Sequence, residues 1–572
     1  MREAEAARQH QGTVITANPR GPTLDTPRQG KQSAARRVLV EAVGWSRRRP
    51  FQIIAGAGAL AWLLLRSGTK PSRFSYPCQQ SALAAATAAL GVPLVAAILA
   101  GRAGLLSFMR SGMGKLGGGF VALLLIAWFT AASLPDALPM IVLAPPQGYR
   151  PEVFHVPYAR GVEPGRFGGV DDLVALLGAS GFKLHRSAML APSSGPDGLI
   201  DPDDVVIVKI NAQWAQRGGT NTDVLRGVIR AIVEHPDGFA GEVIVADNGQ
   251  ASGSVARLEN NAEDTSQSPQ DVAVDFAAEG WSVSARLWDS LRYSSVQEYG
   301  EGDMGDGYVL AGARDPQTSI IVSYPKFRSA GGAYVSYKYG IWDDLQQVYE
   351  ADRLVVINIP VLKTHSIYAV TAAVKNHMGV ITTGLSTDSH AGVGRGGLGS
   401  VLAEVRRPDL TILDCIWILA RPGQGPASLY ASASRRDELV AGVDPVALDV
   451  WAVKHILVPQ IQVNGFTPPQ YAAQDPDNPN GGFRMYLDRS MSEMLAGGIT
   501  TTNDYSAVRV HRLVGDIDRD GDRDLIDYVD LPACLAGPDF AVDPTCSTFD
   551  GDGDGRIDLT DVAVLQNLFS GP

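Results

Sequence analysis

Lysine and histidine side chains follow an apolar run in the middle of the chain. The apolar run spans residues 354–360, Lys363 and His365 come directly after it, and Lys375 and Asn376 follow ten residues later. Lysine supplies positive charge for a carboxylate or a phosphate, and histidine is the most frequent general acid or base. This set of residues predicts a pocket that binds an anionic ligand and could transform it.

Two histidines are candidates for the catalytic acid–base residue, His365 and the downstream His390. Together with an aspartate they could instead form a metal site, because two histidines and a carboxylate are common catalytic metal ligands. Repulsion by the adjacent lysines argues mildly against a metal. The glycine-rich segment 392–400 could look like a phosphate loop, but no strand precedes it, so it is a weak signal for nucleotide binding.

Other polar residues lie where further apolar strands are predicted to end. A lysine inside such a strand, as Lys209 is, needs a partner or a cleft, because burying an unpaired ammonium costs several kcal/mol. Lys209 and Lys363 could form internal salt bridges with an aspartate at 247, 414 or 444, or they could line the anion pocket. The candidate ligand-binding residues are Lys209, Asn211, Lys363, Lys375, Asn376, Asp414 and Asp444.

An acidic loop with the spacing of a calcium site occurs twice near the end of the chain. Oxygen ligands at positions 1, 3, 5 and 12 and a backbone carbonyl at position 7 surround one ion, and a glycine at position 6 permits the tight turn. A solvated acidic tail would not repeat this spacing, so two Ca²⁺ ions are the predicted cofactors. The predicted ligands are Asp516, Asp518, Asp520, Asp522 and Asp527 in the first loop and Asp550, Asp552, Asp554, Arg556 and Asp561 in the second.

Cys534 and Cys546 lie between the two loops and could form a disulfide. Closing so short a ring stabilises a fold by roughly 3 kcal/mol in the chain-entropy model. A disulfide, like weak calcium loops, suits an extracytoplasmic compartment.

Short apolar runs alternate with helical patterns between residues 145 and 460, which predicts an α/β domain with a mostly parallel sheet. Strands are predicted at 205–210, 242–246, 319–322, 354–359 and 410–414, and helices at 170–180, 222–234 and 446–455. Polar segments at 251–270 and 296–316 are interpreted as surface insertions. Residues 461–510 are interpreted as a linker or an irregular insertion. Residues 354–380 are predicted to form a strand, a polar turn and a helix.

Several of these segments resemble the domain-of-unknown-function 362 family of bacteria and archaea. The resemblance rests on NIPVLKTH and VTAAVKNHMGV (residues 358–380), VVIVKINAQW (205–214), Asp414 and AGVDPVALD (441–449). It implies a domain over roughly residues 150–460 and favours a functional pocket, although the family's chemistry is unsettled. Some relatives carry ferredoxin-like clusters, but the four cysteines here have no cluster spacing, so built-in electron transfer is not expected.

The acidic loops resemble the dockerin type I module over residues 514–569, because aspartate rather than glutamate occupies position 12 and a short apolar helix follows. Arg523 departs from the pattern, which usually has an apolar residue at position 8. The resemblance implies a small all-α, EF-hand-like module and a cohesin-like protein partner, with polysaccharide degradation as a weaker implication. The partner would contact positions 10 and 11, which are Leu525, Ile526, Leu559 and Thr560.

The first 135 residues have the pattern of a membrane anchor. Residues 1–50 carry ten Lys or Arg against four acidic residues and are predicted to be a disordered cytoplasmic tail. Apolar runs at 51–65, 81–101 and 118–134 are candidate transmembrane helices, which need about 20 residues. Three crossings place the rest of the chain outside the cytoplasm, whereas two crossings return it to the cytoplasm.

Charge and composition leave two classes of function open. Residues 511–572 hold fourteen Asp against four Arg, so most of the net charge of −12 lies there and the middle of the chain is nearly neutral. This distribution argues against a nucleic-acid groove. The chain is predicted to be either an enzyme that acts on an anionic small molecule or surface polymer, or a cell-surface binding and assembly protein. An acid–base group inside the pocket would distinguish the two.

Overall fold

The computed structural model describes residues 143–513 with small gaps, and parts of the chain beyond them. The gaps are residues 158, 164, 264, 313, 316 and 386–388, and the later described residues are 525–529, 531–535, 537, 546, 549–551 and 556–568. No helix among these residues is long and apolar enough to cross a bilayer. The three apolar runs before residue 135 lie outside the described residues, as do Asp516, Asp518, Asp520, Asp522, Asp552 and Asp554.

Ten strands form the central sheet. They are β1 (Glu152–Val156), β2 (Val205–Lys209), β3 (Glu242–Asp247), β4 (Val283–Leu287), β5 (Leu354–Asn358), β6 (Val361–His365), β7 (Ala369–Thr371), β8 (Leu410–Leu419), β9 (Ser434–Gly442) and β10 (Arg509–Arg512). Their order is β10-β1-β9-β8-β5-β2-β3-β4, and β6 pairs with β8 and with β7. The mixed α/β architecture agrees with the prediction from the sequence.

Five of the strands are parallel neighbours in the order β4-β3-β2-β5-β8. If these five strands are numbered by their order along the chain, their order in the sheet is 3-2-1-4-5. The first three strands therefore extend the sheet in one direction and the last two extend it in the other, and the reversal lies between β2 and β5. The register there pairs Leu354 with Val205 and Asn358 with Lys209. In doubly wound sheets, ligands bind beside the carboxyl ends of the strands at this reversal point.

Six helices cover the two faces of the sheet, three on each face. They are α1 (Gly168–Ala179), α2 (Thr222–Val233), α3 (Pro269–Ala278), α4 (Gly397–Glu404), α5 (Pro445–Ala452) and α6 (Gly482–Ala496). Side chains of α1–α3 share one apolar core with Val206 and Val208, and those of α4–α6 share the other core with Val205 and Ile207. This alternation along β2 shows that both faces are buried, which explains why the strands are continuously apolar.

Two predicted helix starts are confirmed. The side chain of Asn221 accepts hydrogen bonds from the N–H groups of Asp223 and Val224, and Asp444 does the same for Val446 and Ala447. Each satisfies backbone donors that have no partner inside the helix.

The prediction of a linker or an irregular insertion at 461–510 is wrong, because regular helices and a strand occur there. This segment holds α6, shorter helices at Val458–Val463 and Pro468–Tyr471, and the edge strand β10. Helix α6 buries five large side chains at helical spacing, namely Phe483, Tyr486, Leu487, Met491 and Met494. Backbone of α6 packs so closely on α4 that a Cβ on Gly399 would lie 2.0 Å from the Ser490 carbonyl oxygen. The glycines of 392–400 thus serve, at this position, helix packing rather than phosphate binding.

The segment between β4 and β5 forms a second sheet that the sequence did not suggest. Its strands are Ser295–Val296, Gly307–Leu310, Ser323–Arg328, Tyr334–Ser336, Gly340–Asp343 and Val348–Glu350. The strand predicted at 319–322 is wrong, because Ser319 has a positive φ of 60° and the strand begins only at Ser323. The segment 251–270 is not wholly a surface insertion either, since Asn260 and Asn261 are buried.

The described part of the C-terminal region has its own small core. Leu531, Phe549, Ile557 and Leu565 pack together, and helices span Leu531–Cys534 and Leu559–Leu568. Cys534 and Cys546 form a disulfide with their Cα atoms 5.5 Å apart.

Candidate functional site

A cleft opens at the carboxyl ends of β2 and β3, next to the reversal point of the sheet. Its volume is about 50 Å³, counted as the space open to the centres of water molecules. One water needs roughly 10–15 Å³ by this measure, so the cleft holds a small group rather than a whole nucleotide. The residues that line it are Asn211, Gln213, Trp214, Asp247, Asn248, Gln250, His365, Thr371, Lys375, Asn376, Met378, Gly379 and His390.

Residues 360–380 position the cationic wall of the cleft in a way that the sequence did not predict. Where the sequence predicted a polar turn, the structure has the strand β6. This strand pairs antiparallel with β7, so that Lys363 lies opposite Thr371 and His365 lies opposite Ala369. The expected helix is a short 3₁₀ turn over Lys375–Gly379. A hairpin therefore carries Lys363 and His365, and the following turn carries Lys375.

Lys209 is part of an internal salt bridge. Its Nζ lies 2.8 Å from Oδ1 of Asp247, and both side chains are buried. The other carboxylate oxygen of Asp247 accepts the Ala212 N–H at 2.8 Å. Burial lowers the pKa of Lys209 and raises that of Asp247 to about 6, while their mutual attraction opposes both shifts. Of the two alternatives for Lys209, an internal salt bridge or a place in the lining of the anion pocket, the structure shows the salt bridge.

Lys363 and Lys375 differ from Lys209, because neither has a carboxylate partner among the described residues. Nζ of Lys363 donates to the Gly218 carbonyl at 2.5 Å, and Nζ of Lys375 donates to the Ile367 carbonyl at 2.6 Å. Both side chains are buried. Burial lowers the pKa of Lys363 to about 7, and burial followed by repulsion from Lys363 lowers the pKa of Lys375 well below its usual value.

A Lys375 amine with a lowered pKa in the cleft wall has two chemical capacities. It can take up a proton and hold an anion as an ammonium, or it can attack a carbonyl carbon as a nucleophile. Lys363 does not line the cleft, so it acts on a ligand only through its charge.

His365 is a neutral hydrogen-bond donor in this structure. Its Nδ1 accepts the Ile367 N–H at 2.8 Å, so the proton of the neutral ring lies on Nε2. Burial, followed by Lys375, Lys363 and His390, lowers its pKa to about 2. His365 is therefore a poor proton acceptor at neutral pH. His390 also lines the cleft but has an exposed ring, and partial desolvation and Lys375 lower its pKa.

Three asparagine side chains form a chain of hydrogen bonds under the cleft. Nδ2 of Asn358 donates to the Ala373 carbonyl at 3.4 Å, and its Oδ1 accepts from Nδ2 of Asn376 at 2.8 Å. Oδ1 of Asn376 accepts from Nδ2 of Asn211 at 3.3 Å. Asn211 Oδ1 is buried and has no hydrogen-bond partner, and the hydroxyl of Thr371 is in the same state.

Four predicted ligand-binding residues do not line the cleft, namely Lys209, Lys363, Asp414 and Asp444. Asp414 is fully buried and accepts hydrogen bonds from Asn261 Nδ2, Asn221 N–H and Ile416 N–H, and burial raises its pKa to about 6. Asp444 caps α5 and also accepts a hydrogen bond from the hydroxyl of Thr501 at 2.7 Å. Both carboxylates hold loops in place and have no contact with the cleft lining.

Asp449 is a positioning residue that the sequence interpretation missed, although it ends the motif AGVDPVALD. Its two carboxylate oxygens accept the N–H groups of Ala373 at 2.6 Å and Val374 at 3.0 Å. These are the two residues before Lys375. A buried acidic residue on an otherwise apolar helix is the signal that identifies it in the sequence.

The predicted metal alternative for this site finds no support in the described residues. No group of three or more His, Cys, Asp or Glu side chains there is placed to hold a metal ion. His365 and His390 approach each other in the cleft, but a lysine, Lys375, accompanies them.

Comparison with known proteins shows that part of the site lies in a segment similar to a known sequence family. Residues 333–454 match the model of the family described as "Domain of unknown function (DUF362)". The match covers about a fifth of the chain and includes the β6–β7 hairpin, Lys375 and Asp449. Lys209, Asn211 and Asp247 lie outside it, so the cleft joins matched and unmatched segments.

One curated relative is the thylakoid-associated protein sll1697 of Synechocystis sp. The two sequences are 31% identical over 135 residues, which is 23% of this chain and 39% of the relative. The chain thus spans about two fifths of the length of that relative. No solved structure matches the chain significantly.

Proposed function

We propose that the α/β unit binds a small anionic ligand in the cleft, with Lys375 as the group that carries the binding charge. The observation that supports this most directly is the pair of buried amines, Lys363 and Lys375, which donate to backbone carbonyls and have no carboxylate partner among the described residues. An uncompensated ammonium inside a protein costs several kcal/mol, which a bound anion offsets.

Binding by such amines is coupled to protons. Because burial lowers the pKa of both lysines, their amines are not fully protonated at neutral pH when no ligand is bound. An anion beside Nζ of Lys375 favours the ammonium form, so a proton enters the site together with the ligand.

His365 then donates a hydrogen bond to the ligand and does not act as a base. Its Nδ1 is occupied by the Ile367 N–H and its Nε2–H is the remaining polar group. A neutral imidazole that donates from Nε2 can polarise a carbonyl oxygen, which leaves an enzymatic role open.

The test is anion binding by the full chain, purified in detergent, with phosphate, acetate and glycolate as probes. Lys375→Met should abolish binding without unfolding the protein. Lys326→Met controls for the loss of a buried lysine, because Lys326 is also fully buried and donates to the Asp303 carbonyl, but it lies outside the cleft and has the Asp303 carboxylate 4.0 Å away. Binding that is unchanged in Lys375→Met, or lost equally in Lys326→Met, contradicts the proposal.

A second proposed function is calcium-dependent docking by the C-terminal module. Asp561 at position 12 of the second loop is fully buried, and its carboxylate accepts the N–H groups of Gly551 and Asp558, both at 2.7 Å. It therefore reaches back to the start of the loop, as a ligand that closes around Ca²⁺ must.

The proposed docking surface is supported by the exposure of its residues. Leu525, Ile526 and Leu559 expose 73%, 59% and 81% of their surface, and Thr560 is exposed too. Large apolar side chains so placed suit a protein partner of the cohesin type. In this second proposal the chain is a cell-surface assembly protein, and the cleft recognises a ligand without transforming it.

We further propose that the chain is anchored in a membrane with the α/β unit outside the cytoplasm. The three apolar runs before residue 135 support the anchor, and the Cys534–Cys546 disulfide supports an oxidising compartment. The name of the Synechocystis relative, a thylakoid-associated protein, is compatible with a membrane location.

A further inference from the structure

The orientation of Asn211 is determined by its neighbours. Asn358 and Asn376 each donate through Nδ2 to a backbone carbonyl, that of Ala373 and that of Ile210, both at 3.4 Å. A carbonyl can only accept, so the oxygens of both amides point the other way, and Oδ1 of Asn376 must accept from Asn211. Nδ2 of Asn211 is therefore the donor and Oδ1 is left as an acceptor.

The backbone of Asn211 holds that acceptor still. Its N–H donates to the hydroxyl of Thr220 at 2.7 Å, and its carbonyl accepts the Thr220 N–H at 3.1 Å. Asn211 exposes only 7% of its surface, yet it lines the cleft, and its Oδ1 has no hydrogen-bond partner among the residues that the structure describes. Leaving a buried acceptor unpaired costs about 1–3 kcal/mol, which a ligand that donates a hydrogen bond recovers.

We propose that the ligand of the cleft is a short hydroxy carboxylate, whose carboxylate meets Lys375 and whose hydroxyl donates to Oδ1 of Asn211. The inference rests on the proposed anion-binding function and adds the class of anion. The cleft volume of about 50 Å³ keeps the hydroxyl and the carboxylate only a few bonds apart.

A hydroxyl suits this position better than an ammonium. The ammonium of an amino acid would also donate to Asn211, but it would enter a site where Lys363 and Lys375 already lack carboxylate partners among the described residues. A third cation there adds repulsion, whereas a neutral hydroxyl supplies the hydrogen bond alone.

The experiment compares glycolate, acetate and glycine, which differ only in the group beside the carboxylate. Affinities are measured by ligand-observed saturation-transfer NMR on the full chain in detergent. Glycolate should bind about tenfold more tightly than acetate, as one recovered hydrogen bond allows. Asn211→Leu should remove this preference while acetate binding persists. Gln474→Leu is the matched control, since Gln474 is also a buried amide whose oxygen has no partner among the described residues, but it lies outside the cleft and its loss should leave the preference unchanged.

Each alternative outcome of this experiment contradicts one part of the proposal. Equal binding of glycolate and acetate, with both lost in Lys375→Met, overturns the hydroxy carboxylate and leaves anion binding intact. If neither glycolate nor acetate binds, the proposed anion-binding function itself is contradicted. Tighter binding of glycine overturns the choice of a hydroxyl. A preference that survives Asn211→Leu overturns the role of Asn211. The comparison of glycolate with acetate on the unmodified protein remains decisive if Asn211→Leu does not fold.

Discussion

Asp449 accepts the backbone N–H of Val374 at 3.0 Å and thereby fixes the start of the turn that carries Lys375. At pH 5 we expect Asp449→Asn to lower the free energy of unfolding by about 1–3 kcal/mol, because the amide offers one acceptor oxygen where the carboxyl group offers two. Chemical denaturation of the full chain measures this. Asp275→Asn, in an exposed ion pair with Arg226, is the control and should change stability by less than about 0.5 kcal/mol.

Asp449 should also make stability depend on pH. Burial raises its pKa to about 8, so the folded protein holds the proton more tightly than the unfolded chain does. Its contribution is complete below the unfolded pKa near 4 and is lost as the pH rises towards 8. The unfolding free energy of the unmodified protein should therefore fall more steeply between pH 5 and pH 8 than that of Asp449→Asn. Parallel pH profiles for the two proteins count against this assignment.

Anion binding should consume protons. The pKa of Lys363 is lowered to about 7 and that of Lys375 is also lowered, and a bound anion raises them again. Affinity for acetate or glycolate should therefore weaken as the pH rises from 7 to 9. Calorimetric titrations in buffers of different ionisation enthalpy should give proton uptake that approaches one per ligand at neutral pH. Proton release, or an affinity that is constant over this range, is incompatible with Lys375 as the binding cation.

His365 should stay neutral through the physiological range. Its pKa is lowered to about 2, and its proton should lie on Nε2. Nitrogen-15 spectra of a histidine-labelled protein, assigned with a His365→Gln variant, should show this tautomer without titration from pH 5 to pH 8. A midpoint near pH 6 would restore His365 as an acid–base residue.

The calcium proposal predicts that the two loops contribute unequally to calcium binding. Asp550→Ala should weaken calcium binding more than Asp516→Ala, because Ile557 at position 8 of the second loop is buried in the small core, whereas the first loop has Arg523 there. Asp558→Ala, which leaves the predicted ligand positions intact, should have a small effect. Calcium titration of the full chain checks the order, and a chain that binds no calcium refutes the module.

The topology proposal predicts where the end of the chain lies. A reporter fused after Pro572 should be active only outside the cytoplasm, because three crossings place it there. Activity in the cytoplasm would mean that residues 51–65 do not span the membrane.

The sequence was sufficient for the parts of the fold that local patterns determine. Continuous apolar runs predicted β2, β3, β5 and the start of β8, and helical patterns predicted α1, α2 and α5. Helix α6 was missed although Phe483, Tyr486, Leu487 and Met491 have helical spacing, because flanking Pro, Asn and Gln residues dominated the interpretation.

The site was predictable only in part, since its chemistry depends on long-range pairing. The sequence alone does not distinguish the roles of Lys209, Lys363 and Lys375. Only the fold shows that Asp247 pairs with the first, and that the other two donate to backbone carbonyls without a carboxylate partner in the part of the chain that the structure describes. The same holds for His365, whose role is determined by one backbone N–H, that of Ile367.

The pairing of β1 with β10 has a mechanical consequence. The two strands are parallel neighbours, with Glu152 beside Arg509 and His155 beside Arg512. The chain therefore enters β1 at one end of this pair and leaves β10 at the opposite end. Tension between a membrane anchor before β1 and a docked module after β10 would slide the strands along each other, so that all their hydrogen bonds resist together instead of opening one at a time.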